Sequence, residues 1–234
     1  MLRLLLWRLG YEFWNLVAAI LSYDTRGLLS RFNPPVNYFA FGANLDPAVL
    51  YRRRMRVLGQ EEFLLRDHQM RFTQQGPFKG GGFASVEKSP GKVAYGRLLR
   101  LSRVDAIRMD YSELLPIFNR HRRITLTQDG KTFFFYQATF PVEGLIPTEE
   151  YKGKILQAAE KSELIPPSLL AELRNTPALE KLDLAEGISL FIDDYTAWPH
   201  FLHDPLRHYE RWCFALFRRT IGLTLVSRLI RMEK

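Results

Sequence analysis

The stretch YFAFGANLD, Tyr38 to Asp46, decides the fold, because an apolar run of strand type ends there in a glycine, a small residue and an asparagine. A glycine at the end of a strand lets the backbone turn where a Cβ atom would clash. Asp46 followed by Pro47 is typical of a helix N-cap and a first helical residue. The stretch therefore predicts a strand, a sharp turn and a helix. Such a turn can direct several backbone N–H groups towards one anion or carbonyl oxygen.

On both sides of this stretch, strand patterns alternate with helix patterns. Five β-branched and aromatic runs predict strands, namely VNYFAF (36–41), FASVEK (83–88), KVAYGRLLRL (92–101), ITLTQDG (124–130) and KTFFFYQATF (131–140). Helices are predicted over 46–55, 102–113, 148–162 and 167–175. We interpret Pro90 and Gly91 as the turn of a hairpin. The mixture favours an α+β fold over a doubly wound sheet.

Prolines and changes in amino-acid composition divide the chain into three predicted parts. Residues 1–35 predict an N-terminal amphipathic helical extension, 36–175 the central domain, and 176–234 a C-terminal helical extension. The apolar positions of the first extension are Leu2, Leu5, Leu6, Leu9, Phe13, Leu16, Val17 and Ile20, and those of the last are Phe214, Phe217, Ile221, Leu225 and Leu229. We expect these faces to pack on each other or on the core. The alternative is a peripheral position on an anionic membrane surface.

Composition and charge narrow the class of protein. The chain of 234 residues is 47% hydrophobic and 25% charged, which is typical of a folded globular protein. Its single cysteine, Cys213, excludes an internal disulfide framework and favours a reducing, cytoplasmic setting. The net charge is +8, and the densest basic run is Arg52 to Arg54 with Arg56. Because no basic motif interleaved with aromatic residues accompanies that run, we interpret it as a solvated helix face and expect no nucleic-acid partner.

Three elements stand in a distinctive order along the chain, and the first of them is the loop of the opening stretch. An aromatic-Gly-small-Asn loop is followed by a glycine-led hairpin, then by a helix that ends in a hydrophobic residue and Asp-x-x-Glu. The residues concerned are Phe41, Gly42, Ala43 and Asn44; then Gly82, Pro90, Gly91, Val93 and Gly96; then Asp110 and Glu113; and finally Arg122, Arg123 and Ile124. Over roughly residues 36 to 165, this order resembles the γ-glutamylcyclotransferase family.

The chain also departs from the family pattern at four positions. The family loop Tyr-Gly-Ser-Asn carries Phe41 and Ala43 here, the glycine after the acid is Leu114, and a tyrosine before the basic pair is His121. Because the family loop is expected to act through backbone N–H groups, these changes bear on the choice of substrate more than on the reaction.

The resemblance implies a β-barrel-like mixed sheet with flanking helices. It also implies an enzyme with lyase chemistry in γ-glutamyl and glutathione metabolism, which cyclises a γ-glutamyl amide or peptide to 5-oxoproline and releases an amine or amino acid. Glu113 would be the general acid and base, with a pKa raised by burial. The substrate-binding residues would be Phe41, Gly42, Ala43, Asn44 and His121, with Arg122 or Arg123 for the α-carboxylate. We expect no metal and no organic cofactor, because intramolecular aminolysis needs neither.

Other classes of function remain to be compared. The main alternative is a non-catalytic binding or regulatory module on the same fold, held at a membrane by its ends. A metal hydrolase built on His200, His203 and His208 with Asp193, Asp194 or Asp204 lacks a His-Glu-x-x-His motif. A serine hydrolase would need a Gly-x-Ser-x-Gly motif, which the sequence does not contain.

Overall fold

The computed structural model describes residues 2–24, 26–183, 199–205, 208, 209, 212 and 226–232. Its helices and strands are α1 (Leu2–Ser22), β1 (Pro35–Ala40), α2 (Pro47–Arg52), β2 (Val57–Gln75), β3 (Gly82–Ser102), α3 (Arg103–Ser112), β4 (His121–Gln128), β5 (Lys131–Ala138), α4 (Glu149–Ala159) and α5 (Pro167–Asn175). The predicted α+β class is confirmed.

Three of the helices begin at the residues whose chemistry predicts a start. The side chains of Asp46, Ser102 and Thr148 accept hydrogen bonds from backbone N–H groups in the first turns of α2, α3 and α4. Each cap satisfies an N–H group that has no partner inside its helix. Together they fix where the chain leaves the sheet on each side of the site described below.

The five strands form one mixed sheet in the order β2-β3-β1-β5-β4. Strand β1 is antiparallel to β3 and parallel to β5, and the other neighbouring pairs are antiparallel. The sheet curls until β2 approaches β5, so that the rings of Phe63 and Phe133 lie 5.2 Å apart between centroids. This closure agrees with the predicted β-barrel-like sheet with flanking helices.

The hairpin predicted at Pro90 and Gly91 is wrong. Both residues lie inside β3. The long strand β2, which the sequence patterns did not predict, pairs with β3 on both sides of these two residues. The register shifts opposite this point, where Asp67 of β2 adopts φ +55° and its carboxylate accepts the N–H group of Gly91 at 2.8 Å. Between the pairs Arg66–Val93 and His68–Lys88, one residue of β2 lies opposite four residues of β3, so Pro90 and Gly91 belong to a bulge in β3 itself instead of a hairpin turn.

Apolar side chains cover both faces of the central strand β1. Phe39 on the inner face packs with the barrel core beneath α4 and α5, and Tyr38 and Ala40 on the outer face pack against α3. Gly96 of β3 allows this close approach, because a Cβ atom there would lie 2.4 Å from the carbonyl oxygen of Ala40. The two layers hold the end of β1 rigidly.

The N-terminal helix α1 packs on the central domain through a face that the sequence patterns did not predict. Trp7, Tyr11 and Ala18 are buried, and the carboxyl-terminal Ile230 packs beside Ala18. By contrast, the predicted apolar face is exposed, with Leu5, Leu6, Leu9, Phe13, Leu16 and Ile20 between 46% and 58% accessible. The expectation that this face packs within the protein is therefore wrong for these six side chains. Large aromatic side chains take the inner face instead, because they fill the space beside α3.

The C-terminal extension is described only in part. Val226, Ile230 and Met232 lie against α1, whereas Leu229, the one predicted apolar position of this extension among the described residues, is 55% exposed. The predicted apolar positions Phe214, Phe217, Ile221 and Leu225 lie outside the described residues. Across the described ranges, no helix has the length and apolar character needed to cross a membrane.

Candidate active site

The opening stretch forms the predicted turn at the end of β1. Phe41 is extended, Gly42 has φ +64°, and residues Gly42–Leu45 form a short 3-10 helix that leads into α2. Two features favour glycine at position 42. Its φ lies in the left-handed region, and a Cβ atom would lie 2.7 Å from the hydroxyl oxygen of Tyr151. The ring of Phe41 lies in the barrel core, so that only its backbone belongs to the loop.

Glu113 ends helix α3 and faces this loop. Its carboxylate oxygen Oε1 accepts a hydrogen bond from Asn44 Nδ2 at 3.0 Å, and its side chain is 17% exposed. Asn44 is buried, and its amide also donates to the hydroxyl of Tyr38 at 2.7 Å. The structure thus brings together the glycine loop and the acid that the sequence analysis singled out separately.

Sequence reasoning missed the third member of this cluster, Arg53. Its guanidinium Nη1 donates to Glu113 Oε1 at 2.8 Å and to Asn44 Oδ1 at 3.1 Å. The interpretation of Arg52 to Arg56 as a solvated face is wrong for Arg53, whose side chain is 18% exposed. The sequence did contain a signal for Arg53. Helix α2 begins at the Asp46 cap and has only six residues, so Arg53 at its end lies close to Asn44.

The charge on Arg53 reverses the expected direction of the pKa shift of Glu113. Burial acts to raise the pKa of Glu113, but the charges of Arg53 and His121 and the hydrogen bonds from Arg53 and Asn44 outweigh it and lower the pKa below its ordinary value. The prediction of a raised pKa is therefore wrong for the structure described. Burial and the negative charge of Glu113 raise the pKa of Tyr38, so its hydroxyl is protonated at neutral pH.

Tyr151 of α4 closes the other side of the loop. Its hydroxyl accepts the backbone N–H of Ala84 at 3.2 Å and lies close to Gly42, while its ring packs edge-on against Phe83. Burial raises its pKa to about 12, against the effect of backbone hydrogen bonds at Ala84 and Ala43. The backbone N–H of Ala84 in β3 thus donates to a hydroxyl oxygen that lies beside the glycine loop.

The remaining predicted site residues lie on β4 and point in different directions. His121 Nδ1 lies 2.6 Å from the backbone oxygen of Glu113, so it contacts the backbone that carries the acid. Arg122 donates to Gln137 on the exposed side of the sheet. Arg123 lies on the face towards α3, where its guanidinium pairs with Asp110 at 3.1 Å. The expectation that strand alternation separates the two arginines agrees with these contacts.

The carboxylate of Asp110 connects helix α3 to the sheet. Its carboxylate accepts the hydroxyl of Tyr136 at 2.6 Å and pairs with Arg123, which also lies over the ring of Phe134. Burial raises the pKa of Asp110, and the contacts with Tyr136 and Arg123 act in the opposite direction. These contacts tie α3 to β4 and β5 and do not reach Glu113.

Helix α1 supports the turn that follows Glu113. Leu114 has φ +54°, a conformation that favours glycine, which accounts for the glycine that the family pattern carries there. Its side chain is buried in a cluster with Trp7, Tyr11 and Phe118, and Trp7 Nε1 donates to the backbone oxygen of Tyr111 at 2.9 Å. Packing against α1 thus stabilises a strained turn directly beside the acid.

A cavity of about 240 Å³ lies between strands β2 and β3 and helices α4 and α5. Its wall includes Leu45, which follows Asn44, and Ile155, which lies one turn beyond Tyr151, but neither Glu113 nor Arg53. Of the glycine loop, only Leu45 therefore lines the cavity, and the acid does not.

No cluster of three or more His, Cys, Asp or Glu side chains within the described ranges is arranged to hold a metal ion. The rings of His200 and His203 lie 4.9 Å apart, but Asp193 and Asp194 of the alternative metal site lie outside the described residues.

Comparisons with solved structures agree on the fold. The chain is similar to a protein described as a gamma-glutamyl cyclotransferase, with TM-score 0.52 and 23% identity over 63% of this chain and 91% of that one. It is also similar to an uncharacterised human protein, with TM-score 0.50 and 22% identity over 63% and 90% of the two chains. YkqA from Bacillus subtilis is similar as well, with TM-score 0.50 and 18% identity over 65% of this chain and 59% of that one. No protein-family model and no curated protein matches the sequence. The fold is thus gamma-glutamyl cyclotransferase-like, as the order of motifs predicted.

Proposed function

We propose that this protein is an enzyme that cyclises a γ-glutamyl amide or peptide to 5-oxoproline and releases an amine or amino acid. One observation carries the proposal: on a gamma-glutamyl cyclotransferase-like fold, the Glu113 carboxylate is hydrogen-bonded to Asn44 of the glycine loop. The substrate class is γ-glutamyl compounds, including those of glutathione metabolism, and the expected location is the cytoplasm.

The reaction needs no nucleophile from the protein. The α-amine of the substrate attacks its own γ-carbonyl carbon, a new C–N bond closes the five-membered ring, and the C–N bond to the leaving amine breaks. Because both reacting groups belong to one molecule, the main task of the protein is to hold that molecule folded. Two proton movements remain, since the α-ammonium loses one proton and the leaving nitrogen gains one.

Glu113 is the group we assign to both proton transfers. Its lowered pKa keeps the carboxylate ionised at neutral pH, which is the form that accepts a proton, but a weakly basic carboxylate gives little driving force. The ion pair with Arg53 must therefore loosen when substrate binds. The substrate carries its own anion, the α-carboxylate, and we assign Arg53 to pair with it. As Arg53 turns towards the α-carboxylate, its positive charge moves away from Glu113. The pKa of Glu113, which burial raises, then increases towards the pH at which the enzyme works.

Arg53 thus takes the role for which the sequence analysis considered Arg122 and Arg123. Its guanidinium already reaches Asn44 and Glu113, whereas Arg123 is held by Asp110 and Arg122 lies on the exposed side. A guanidinium group can donate two parallel hydrogen bonds to the two oxygens of a carboxylate, which the ammonium group of a lysine cannot do.

Backbone donors are assigned to the γ-carbonyl oxygen. The N–H group of Ala84 donates to the Tyr151 hydroxyl beside Gly42, and we assign this donor and the N–H groups of the glycine loop to a substrate oxygen that displaces the hydroxyl. A well-placed donor of this kind stabilises developing negative charge by about 3 kcal/mol. Phe41 and Ala43 in place of tyrosine and serine leave these backbone groups in place.

A second function has a specific observation in its favour. The Arg53–Glu113 ion pair lowers the pKa of the acid, which suits a binding or regulatory module without turnover. Mass-spectrometric detection of 5-oxoproline separates the two. Purified protein is incubated with γ-glutamyl amino acids, γ-glutamyl amines, isopeptides and glutathione. Release of 5-oxoproline from one class supports the enzyme and identifies its leaving group. Saturable binding without release from any of them would favour the module.

A further inference from the structure

The helix α1 presents an apolar surface to solvent between residues 5 and 20. We call the side chains Leu5, Leu6, Leu9, Phe13, Leu16 and Ile20 the outer face of α1; each is between 46% and 58% exposed. They follow the helical repeat and lie opposite the buried residues Trp7, Tyr11 and Ala18. Such a continuous apolar patch marks an interaction surface in a folded protein.

The segment after α1 adds further exposed apolar side chains. Leu28 is 68% exposed and Phe32 is 64% exposed. The carboxylate of Asp24 accepts the backbone N–H groups of Leu28 and Leu29 at 3.1 and 2.6 Å, which fixes this turn. The apolar side chains are therefore held outwards by an ordered turn.

The charges near this surface are predominantly basic. Arg26 and Arg31 are exposed, and the guanidinium of Arg31 lies 4.6 Å above the ring of Phe32. The exposed Arg231 joins them at the end of α1, because its backbone N–H donates to the Ser22 hydroxyl at 2.9 Å. Of the two acids in residues 2–32, Asp24 caps the turn and the other, Glu12, lies 2.8 Å from Arg8.

We propose that the outer face of α1 docks on an anionic membrane surface, with the helix in the plane of the interface. A helix of 21 residues is about 31 Å long. When it lies parallel to the membrane, all the apolar side chains of its outer face can insert between the lipid headgroups. Arginines beside the apolar side chains then meet the anionic lipids. Charge complementarity favours this occupant over a second copy of the chain, because anionic headgroups attract the arginines, whereas a second copy carries the same net charge of +8.

Vesicle binding by the full chain tests the proposal, using phosphatidylcholine vesicles with and without phosphatidylserine. We expect sedimentation with the anionic vesicles and a loss of binding of about tenfold or more as salt rises from about 0.1 to 1 M, because the Debye length falls from about 10 to 3 Å. The double variant Leu9→Glu, Phe13→Glu should bind about tenfold or more weakly, since it removes two apolar anchors.

A matched control uses apolar side chains elsewhere on the surface. Leu58 and Phe140 are 50% and 67% exposed, so Leu58→Glu, Phe140→Glu adds the same charge away from α1 and should bind like the parent. Circular dichroism checks that each variant is folded. Equal losses in the two double variants, or no binding of the parent to anionic vesicles, would overturn the proposal. A lipid-free dimer that Leu9→Glu, Phe13→Glu dissociates would assign this face to a second copy instead.

Discussion

Replacing Arg53 with methionine tests whether its ion pair stabilises the site. The substitution keeps a similar side-chain length but removes the donor that lies 2.8 Å from Glu113. Removing one partner of a fully buried pair costs about 3–5 kcal/mol. The two side chains are 18% and 17% exposed, so water screens part of the remaining charge. We therefore expect the free energy of unfolding at pH 7 to fall by about 2–3 kcal/mol.

This loss should depend on pH with a definite sign. In the parent, the pKa of Glu113 is lowered relative to the unfolded chain, so the pair contributes stability above the unfolded pKa and loses it as pH falls through the folded pKa. In Arg53→Met, burial of Glu113 is no longer offset by the guanidinium, so its pKa rises and protonation relieves the unpaired charge. The difference in stability between parent and variant should narrow as pH is lowered from about 7 to about 4.

Urea unfolding followed by circular dichroism measures both effects. Arg52→Met is the control, because Arg52 is the exposed neighbour and should change stability by no more than about 0.5 kcal/mol. In a Glu113→Gln background, Arg53→Met should cost much less than in the parent, which a double-mutant cycle detects. Equal losses for Arg52→Met and Arg53→Met at pH 7, or a loss that is the same at every pH, would refute the reasoning.

Three further substitutions test the packing that positions the site. Gly96→Ala should lower the free energy of unfolding by about 3 kcal/mol or more, because the added Cβ would lie 2.4 Å from a backbone oxygen of Ala40; a smaller loss than at an exposed glycine would contradict this. Gly42→Ala should cost about 1–2 kcal/mol from its positive φ and displace the Tyr151 hydroxyl, abolishing 5-oxoproline release; a fully active variant would show that the loop tolerates a side chain. Ile230→Ala should cost about 2–4 kcal/mol if the C-terminal turn packs on α1 as described, and an unchanged unfolding midpoint would argue against that contact.

Local chemistry in the sequence accounts for much of the fold. The caps at Asp46, Ser102 and Thr148 were predictable because each satisfies N–H groups within a few residues. Strand β2 was not predictable, because polar residues interrupt its pattern and its pairing with β3 shifts register where residues 89–92 of β3 lie opposite Asp67. The buried face of α1 was also missed, since aromatic side chains and leucines occupy opposite sides and hydrophobicity alone does not choose between them.

The candidate site divides in the same way. Asn44 and Glu113 were identified from the order of motifs, and the structure brings them into contact. Arg53 is 60 residues from Glu113 along the chain, so no local pattern connected the two charges. The direction of the pKa shift was wrong for that reason, because burial of the acid was predicted without its partner.

The most direct test of the central claim compares turnover and binding in Glu113→Gln. Release of 5-oxoproline by the parent is measured by mass spectrometry on its best γ-glutamyl substrate, and substrate binding is measured by calorimetry. If Glu113 transfers the protons, kcat should fall by about 10²–10⁴-fold, whereas the dissociation constant should change by less than about tenfold. Equal losses in turnover and binding, or a parent protein that releases no 5-oxoproline from any γ-glutamyl compound, would contradict the account.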